Sequence, residues 1–322
     1  MTHNVKFAAA VVGLVFVGHG TIARAGCPGE WDPGFGLPGG VKGNARAALM
    51  FDSGSGPALH IGGSFGVAGD RPARNLARWD GEHWQPLGAG LQANIASGGE
   101  VRALTIYQGD LIAGGNFTHS GQTAMASVAR WDGTNWQPLS AAATGWVNAV
   151  EVYDGKLIAA GRLSSINGVS TGAIAAWDGA TWSTMAGGVV NGGTTEVFAL
   201  HVFGNELIVG GDFNQAGGQP VAGVTAWNGT SWRAMGTQIQ RRILSFETVN
   251  GQLYAGTMGG NLPAVWRWDG ASSWTSLGVN ATGLYGEVRR LTEVGGALVA
   301  LGARFELGAE DVRVEGEVLV VV

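Results

Sequence analysis

Five times along the chain a tryptophan is followed at once by Asp-Gly or Asn-Gly, and a few residues later by a second tryptophan. The copies begin at Trp79, Trp131, Trp177, Trp227 and Trp268, and their partners are Trp84, Trp136, Trp182, Trp232 and Trp274. A signature recurring every forty to fifty residues or so, with strand-like runs in every copy, marks a stacked or radial repeat rather than one irregular domain. Asp-Gly or Asn-Gly between two strand-like runs predicts a hairpin, with a type I′ turn that needs positive φ at both central residues. Each copy therefore reads as a hairpin with large aromatics on both sides of its turn.

Around this signature the rest of the unit is regular. A run of period two opens it, as in Val101-Arg102-Ala103-Leu104, Val147-Asn148-Ala149-Val150 and Val197-Phe198-Ala199-Leu200. Such alternation turns one apolar face inward. A glycine-bearing turn follows, then a second strand ending in small residues, as in Leu111-Ile112-Ala113-Gly114-Gly115. A polar loop of about ten residues, long for a hairpin, leads to the Trp-Asp-Gly pair of strands. Four short antiparallel strands repeated around a ring predict an all-β fold, a β-propeller. Units starting near residues 45, 101, 147, 197, 243 and 288 give six four-stranded blades. The last unit lacks the tryptophan signature, and residues 31–37 stand before the first unit like a stray fourth strand. The expected closure has that N-terminal strand completing the blade begun by the C-terminus, which removes exposed sheet edges.

The combination Leu-Ile-Ala-Gly-Gly-x-Phe at Leu111–Phe117 and Ala-Arg-Trp-Asp-Gly-x-x-Trp-x-Pro-Leu at Ala129–Leu139 resembles the repeats of Rax2-like and kelch-type β-propellers, exported bacterial ones among them. The resemblance covers roughly residues 31 to 305. It implies a propeller used for display or interaction.

The first 25 residues read as a secretory leader: Lys6, an apolar stretch over 7–17, and Ala23-Arg24-Ala25 as a small-x-small cleavage site. The propeller domain is then 26–322, in an exported, periplasmic or cell-surface protein. Cys27 raises a lipid-anchored alternative, which Arg24 disfavours where a lipoprotein signal would carry an aliphatic residue. With one cysteine in the chain there is no internal disulfide, so stability must come from burial. Formal net charge is −5, and removal of Lys6 and Arg24 makes it more acidic, which excludes the basic stripe a nucleic-acid binder needs. After leader removal no stretch is long enough to span a membrane.

The repeated acids Asp80, Asp132, Asp178 and Asp269 invite a carboxylate array, but Asn228 replaces them in the fourth copy, which suits a turn residue. The Gly-Gly pairs are followed by no helix and so are not phosphate cradles. Copper chemistry of the galactose-oxidase kind would need a cysteine–tyrosine pair and two histidine ligands. Cys27 lies at the mature terminus, and His60, His83, His119 and His201 fall in different units. The sequence therefore predicts no cofactor, no metal site and no catalytic residues. It points to a non-enzymatic interaction module meeting a protein or glycan at the cell surface; the alternative is a carbohydrate-binding or glycan-active propeller. Loops joining strands two and three, and those joining one blade to the next, must emerge on one side. Recognition is expected on that side, with Arg71, His119, Trp146 and Arg241 as ligand-binding candidates beside Asp70, Gln122, Asn167, Gln215 and Arg242. Trp146 reads as an aromatic anchor in the connection between two blades, outside every repeat column.

Overall fold

A computed structural model describes residues 40–54, 56–93, 98–239, 241–258, 264–277, 284–307 and 318–321. Five antiparallel meanders of four strands follow one another. Sheet one holds Val41–Asp52, Pro57–Ala68, Leu76–Trp79 and Trp84–Pro86. Sheet two holds Glu100–Tyr107, Asp110–Asn116, Val128–Trp131 and Trp136–Pro138. Sheet three holds Ala143–Tyr153, Lys156–Ile166, Ile174–Trp177 and Trp182–Thr184. Sheet four holds Glu196–Phe203, Glu206–Asp212, Val224–Trp227 and Trp232–Ala234. Sheet five holds Ile243–Val249, Gln252–Thr257, Val265–Trp268 and Trp274–Ser276. Sheet six has three described strands, Leu284–Val294, Ala297–Leu307 and Val318–Val321. The expected closing segment, 31–37, lies outside the described residues, as does the leader.

In sheets two, three and five the two hairpins use different turn chemistry, which corrects the expectation for Trp-Asp-Gly. The type I′ turns sit between strands one and two: Gln108-Gly109, Asp154-Gly155, Asn250-Gly251 and Gly295-Gly296 all have positive φ at both positions. At the tryptophan hairpins only the glycine is left-handed, as in Gly133 at φ 97. There Trp131 pairs with Trp136 across a four-residue loop. The Asp132 carboxylate accepts hydrogen bonds from the backbone N–H groups of Thr134 and Asn135, at 2.9 and 2.7 Å. Asn228 does the same with Thr230 and Ser231, which is why an amide substitutes for the acid.

The Gly-Gly pair is explained by two close approaches. A Cβ on Gly114 would lie 2.7 Å from a Val147 methyl of sheet three, and one on Gly115 would overlap the Glu100 carbonyl of its own sheet. The first glycine lets neighbouring sheets meet; the second makes room for a β-bulge in the first strand. That bulge recurs between Ala45 and Ala47, Val101 and Ala103, Val147 and Ala149, Val197 and Ala199, Ile243 and Ser245, and Val288 and Arg290. A bulge turns its extra residue out of the pleat, so every sheet offers one side chain at the same place.

Packing runs from each sheet to the next. Leu87 and Leu91 of the sheet-one side pack with Leu111, Trp131 and Trp136 of sheet two, and similar clusters fill the next four boundaries. In sheets two to five the second tryptophan of the pair also donates its indole N–H across the boundary. Trp136 reaches the Leu87 carbonyl at 3.2 Å, Trp182 that of Leu139 at 2.9 Å, Trp232 that of Met185 at 2.8 Å and Trp274 that of Met235 at 2.8 Å. Within each hairpin the two indoles sit tilted, with centroids 4.8 to 5.4 Å apart. The tryptophans are thus packing residues on the turn hairpins.

Candidate functional site

The first strands of all six sheets line one cavity of about 270 Å³. Its interior is more polar than a core would be. Glu151 and Glu247 line it, and burial pushes both carboxyls above the ordinary carboxylate range, partly offset by the backbone N–H groups of Val152 and Thr248. His201 lines it too; burial pushes its imidazole pKa down, and Nε2 sits 2.7 Å from the Thr248 hydroxyl. Among the described residues no three His, Cys, Asp or Glu side chains come together in a way that would hold a metal ion.

The first strands begin, and the second strands end, on the side that carries the longer loops: Glu100 pairs with Asn116 and Glu196 with Asp212. There the bulge residues and those two places before them form a polar belt crossing sheet boundaries. Glu100 holds Arg46 of sheet one and, at 2.7 Å, Arg102 of its own sheet. Arg102 donates to Asn148 of sheet three at 2.6 Å, and Asn148 donates to Glu196 of sheet four at 2.9 Å. The Trp146 indole N–H also ends on Glu196, at 3.1 Å. The guanidinium carbons of Arg102 and Arg162 lie 5.2 and 5.1 Å from the Trp146 ring centre, within cation–π range.

Further round the same side a groove of about 440 Å³ opens between sheets four and five. Phe213, Val221, Ile239 and Met258 give it an apolar floor; Asn214, Asp212, Arg241 and Arg242 give it polar edges. Arg242 is held by Asp212 at 2.8 Å, and Asp212 also accepts from Asn191. Arg241 is exposed, lies on the groove, and its side chain makes no hydrogen bond or ion pair among the described residues.

The four candidates from the sequence fall on four separate places, and no hydrogen bond or ion pair joins any two of them among the described residues. Arg71 is exposed on the two-residue strand Arg71–Pro72 beside sheet one. His119 is half-buried on His119–Ser120; its backbone pairs with Gln92, and its Nδ1 lies 2.8 Å from the Thr118 hydroxyl. Trp146 is not in a connection, contrary to expectation. It stands on the first strand of sheet three opposite Arg162, in the column that holds Glu100 and Glu196 in the neighbouring sheets. The strand begins at Ala143, earlier than the apolar alternation indicates, and passes through Gly145, at φ 106, where a Cβ would collide with the Arg162 carbonyl. Asn167 serves the fold: its side-chain oxygen accepts from the N–H groups of Ala141 and Ala142. Sequence reasoning passed over Glu100, Arg102, Asn148, Arg162 and Glu196. For all but Arg162, which lies on the second strand of sheet three, the signal was a polar residue beside the first-strand valine, in a run otherwise read for its apolar face.

No family model matches the sequence, and no curated protein matches it. Solved structures do. YCF48, in a structure described as bound to D1 peptide, is similar over 83% of this chain and 77% of its own, with a TM-score of 0.50 and 12% identity. The computationally designed Ika8 protein is 13% identical over 83% of this chain and 84% of its own, with a TM-score of 0.46. The chain is an all-β propeller. At such identities the likeness carries the fold and no residue's role.

Proposed function

We propose that this propeller is an exported, non-catalytic binding module, and that its loop-bearing face takes an extended peptide segment of a protein partner carrying an acidic side chain. One observation carries the reading: the unpaired Arg241 guanidinium beside a 440 Å³ groove with an apolar floor. The neighbouring acids are already satisfied. Glu100 is neutralised by Arg46 and Arg102, and Asp212 by Arg242, which leaves Arg241 as the cation at the groove with no acid against it among the described residues, on a chain that is acidic overall. A carboxylate can meet Arg241 in a charge-assisted, two-pronged contact while an apolar neighbour enters between Phe213 and Met258. Trp146 contributes by holding Arg102 and Arg162 in place, and Arg71 and His119 lie on small hairpins of the same face. The peptide bound by YCF48 makes a peptide partner a reasonable class to test first. A glycan partner would want a free aromatic face; both Arg102 and Arg162 lie against Trp146.

The test is a binding screen of acidic and neutral extended peptides against the intact mature chain, followed by titration of the best. Arg241→Ala should weaken the winning peptide about tenfold, ~1.4 kcal/mol, with the melting temperature unchanged. Equal affinity in Arg241→Ala, and in the triple change of Arg71, Trp146 and Arg241 to alanine, would remove this face as the site.

A further inference from the structure

The end of the cavity away from the long loops has a pattern of its own. Of the four large apolar side chains exposed among the described residues, three are Met50, Ile106 and Val202, at 40, 41 and 38% exposure. All three hold one structural position near the end of a first strand, opposite Leu59, Leu111 and Leu207 of the second. Sheet three puts a half-buried Val152 there, opposite Leu157. Sheets five and six carry Thr248 and Glu293 instead. The position lies just before the connection to strand two, so the four apolar groups ring that end of the cavity. Exposed apolar side chains scattered singly are ordinary, but one position repeated around an opening makes a patch that marks a contact surface.

One place further in along the same strands stand Glu151, His201 and Glu247, on three successive sheets, and all three line the cavity. His201 reaches forward to Thr248 of the following sheet, and the charge of Glu293 acts on Glu247 with the same offset. That offset puts Glu151 beside the Val202 position of sheet four. Glu151 accepts the Val152 N–H, and Glu247 has the charge of Arg290 within reach. Burial nonetheless pushes both carboxyls upward, the mark of acids that a further cation would stabilise. The rim has the same sign. The tryptophan turns emerge on this side, where Asp80, Asp132, Asp178 and Asp269 are held below the ordinary carboxylate range by N–H and hydroxyl groups of their own turns. Arg130 and Arg233 also lie here, and are engaged by Asp110 and Glu206.

We propose that this end of the cavity receives a lysine side chain of a partner protein, with its ammonium at Glu151 and Glu247 and its methylenes against Met50, Ile106, Val152 and Val202. Lysine suits the arrangement better than arginine. Its four-carbon stem lies along an apolar ring while a compact ammonium reaches oxygens on separate sheets, whereas a guanidinium fork is shaped for one carboxylate. A protein supplies the lysine because the ring stands at the surface, where a neighbouring apolar group of the same partner covers what the stem leaves bare. This site is on the side opposite the Arg241 groove and does not rest on it.

The experiment is an NMR titration of the intact chain, labelled at methionine, isoleucine and valine methyls, with Nα-acetyl-lysine methylamide. Its neutral norleucine counterpart and the free diamine cadaverine are run beside it. The lysine probe should shift the methyls of Met50, Ile106 and Val202, and the norleucine probe should leave them in place. Glu151→Gln with Glu247→Gln, which keeps shape and removes charge, should weaken the lysine probe about tenfold or more with the melting temperature no lower. Val202→Thr, at an exposed position, should weaken it by less. Absence of shifts at these methyls overturns the proposal, as do equal shifts from the norleucine probe or unchanged affinity in the glutamine pair. Tighter binding of cadaverine than of the lysine probe overturns the protein partner, because the cavity then serves a small free amine.

Discussion

Two belts of side chains tie the sheets together, and they are built on opposite plans. The outer belt is the set of tryptophan hairpins: in five sheets one indole packs on another with an Asx turn at the end, and in four of them an N–H is donated to the preceding sheet. The inner belt, at the mouth of the cavity, is not uniform: one structural position holds arginine in three sheets, Arg46, Arg102 and Arg289, and Asn148, Phe198 and Leu244 in the other three. A uniform belt suits a task that is the same at every boundary, excluding water. A varied belt on the same backbone can serve one particular molecule. If this division holds, damage to the outer belt is read in stability and damage to the inner belt in binding.

The sharpest attack on the comparison is Trp136→Ala. It removes a side chain that is 2% exposed together with its cross-sheet hydrogen bond, and should cost about 3–5 kcal/mol in urea unfolding. An unmoved midpoint would mean the outer belt does not fasten the sheets. Next is Gly115→Ala, whose Cβ must displace the Glu100 carbonyl and with it the bulge; about 1–3 kcal/mol is expected, accompanied by weaker peptide binding. Glu196→Ala removes the acceptor of both Trp146 and Asn148 on the inner belt. It should cost only about 1 kcal/mol because the site is partly solvated, while affinity for the peptide falls clearly. A loss of stability as large as that of Trp136→Ala would erase the distinction between the belts.

Two smaller effects are read in pH. Burial raises the folded-state pKa of Glu151, so folding favours its protonated form. That favour is complete below the unfolded pKa and is lost as pH rises through the raised folded value. Glu151→Gln should therefore be more stable than the parent near neutral pH, with the gap closing as the solution is acidified. The turn acids have the opposite sign. Backbone N–H groups hold Asp132 below its ordinary value of 3.8, so its contribution is present above that value and fades as pH falls through the folded one. Asp132→Asn, copying the turn at Asn228, should leave neutral-pH unfolding unchanged and flatten the acid limb. An acid limb identical to the parent's would show that the turn is not held by the carboxylate.

Much of the fold was legible because its signals are local. Trp131 and Trp136, the Gly114-Gly115 pair and the alternation at Val101 each report on a strand or a turn. Repetition then multiplies a weak signal into a firm one. The turn type was misassigned because Asp-Gly serves two geometries: at Asp154-Gly155 both residues are left-handed, while at Asp132-Gly133 only the glycine is. Loop length decides between them, and that depends on how far the flanking strands pair. The site was less legible. Arg241 was singled out only as a polar contact on the loop-bearing side, Trp146 was placed in a loop, and Arg102, Arg162 and Glu196 were passed over.

The sequence by itself determined the all-β repeat, the tryptophan hairpins, the side on which long loops gather and the absence of disulfides, since each follows from residues close together in the chain. Only the tertiary structure decided that Trp146 lies between Arg102 and Arg162, that Glu196 joins sheets three and four, and that the Arg241 guanidinium has no ion-pair partner at the groove among the described residues. The contacts of Glu196 join residues some fifty places apart along the chain, and which polar group finds which carboxylate depends on how one sheet is rotated against the next.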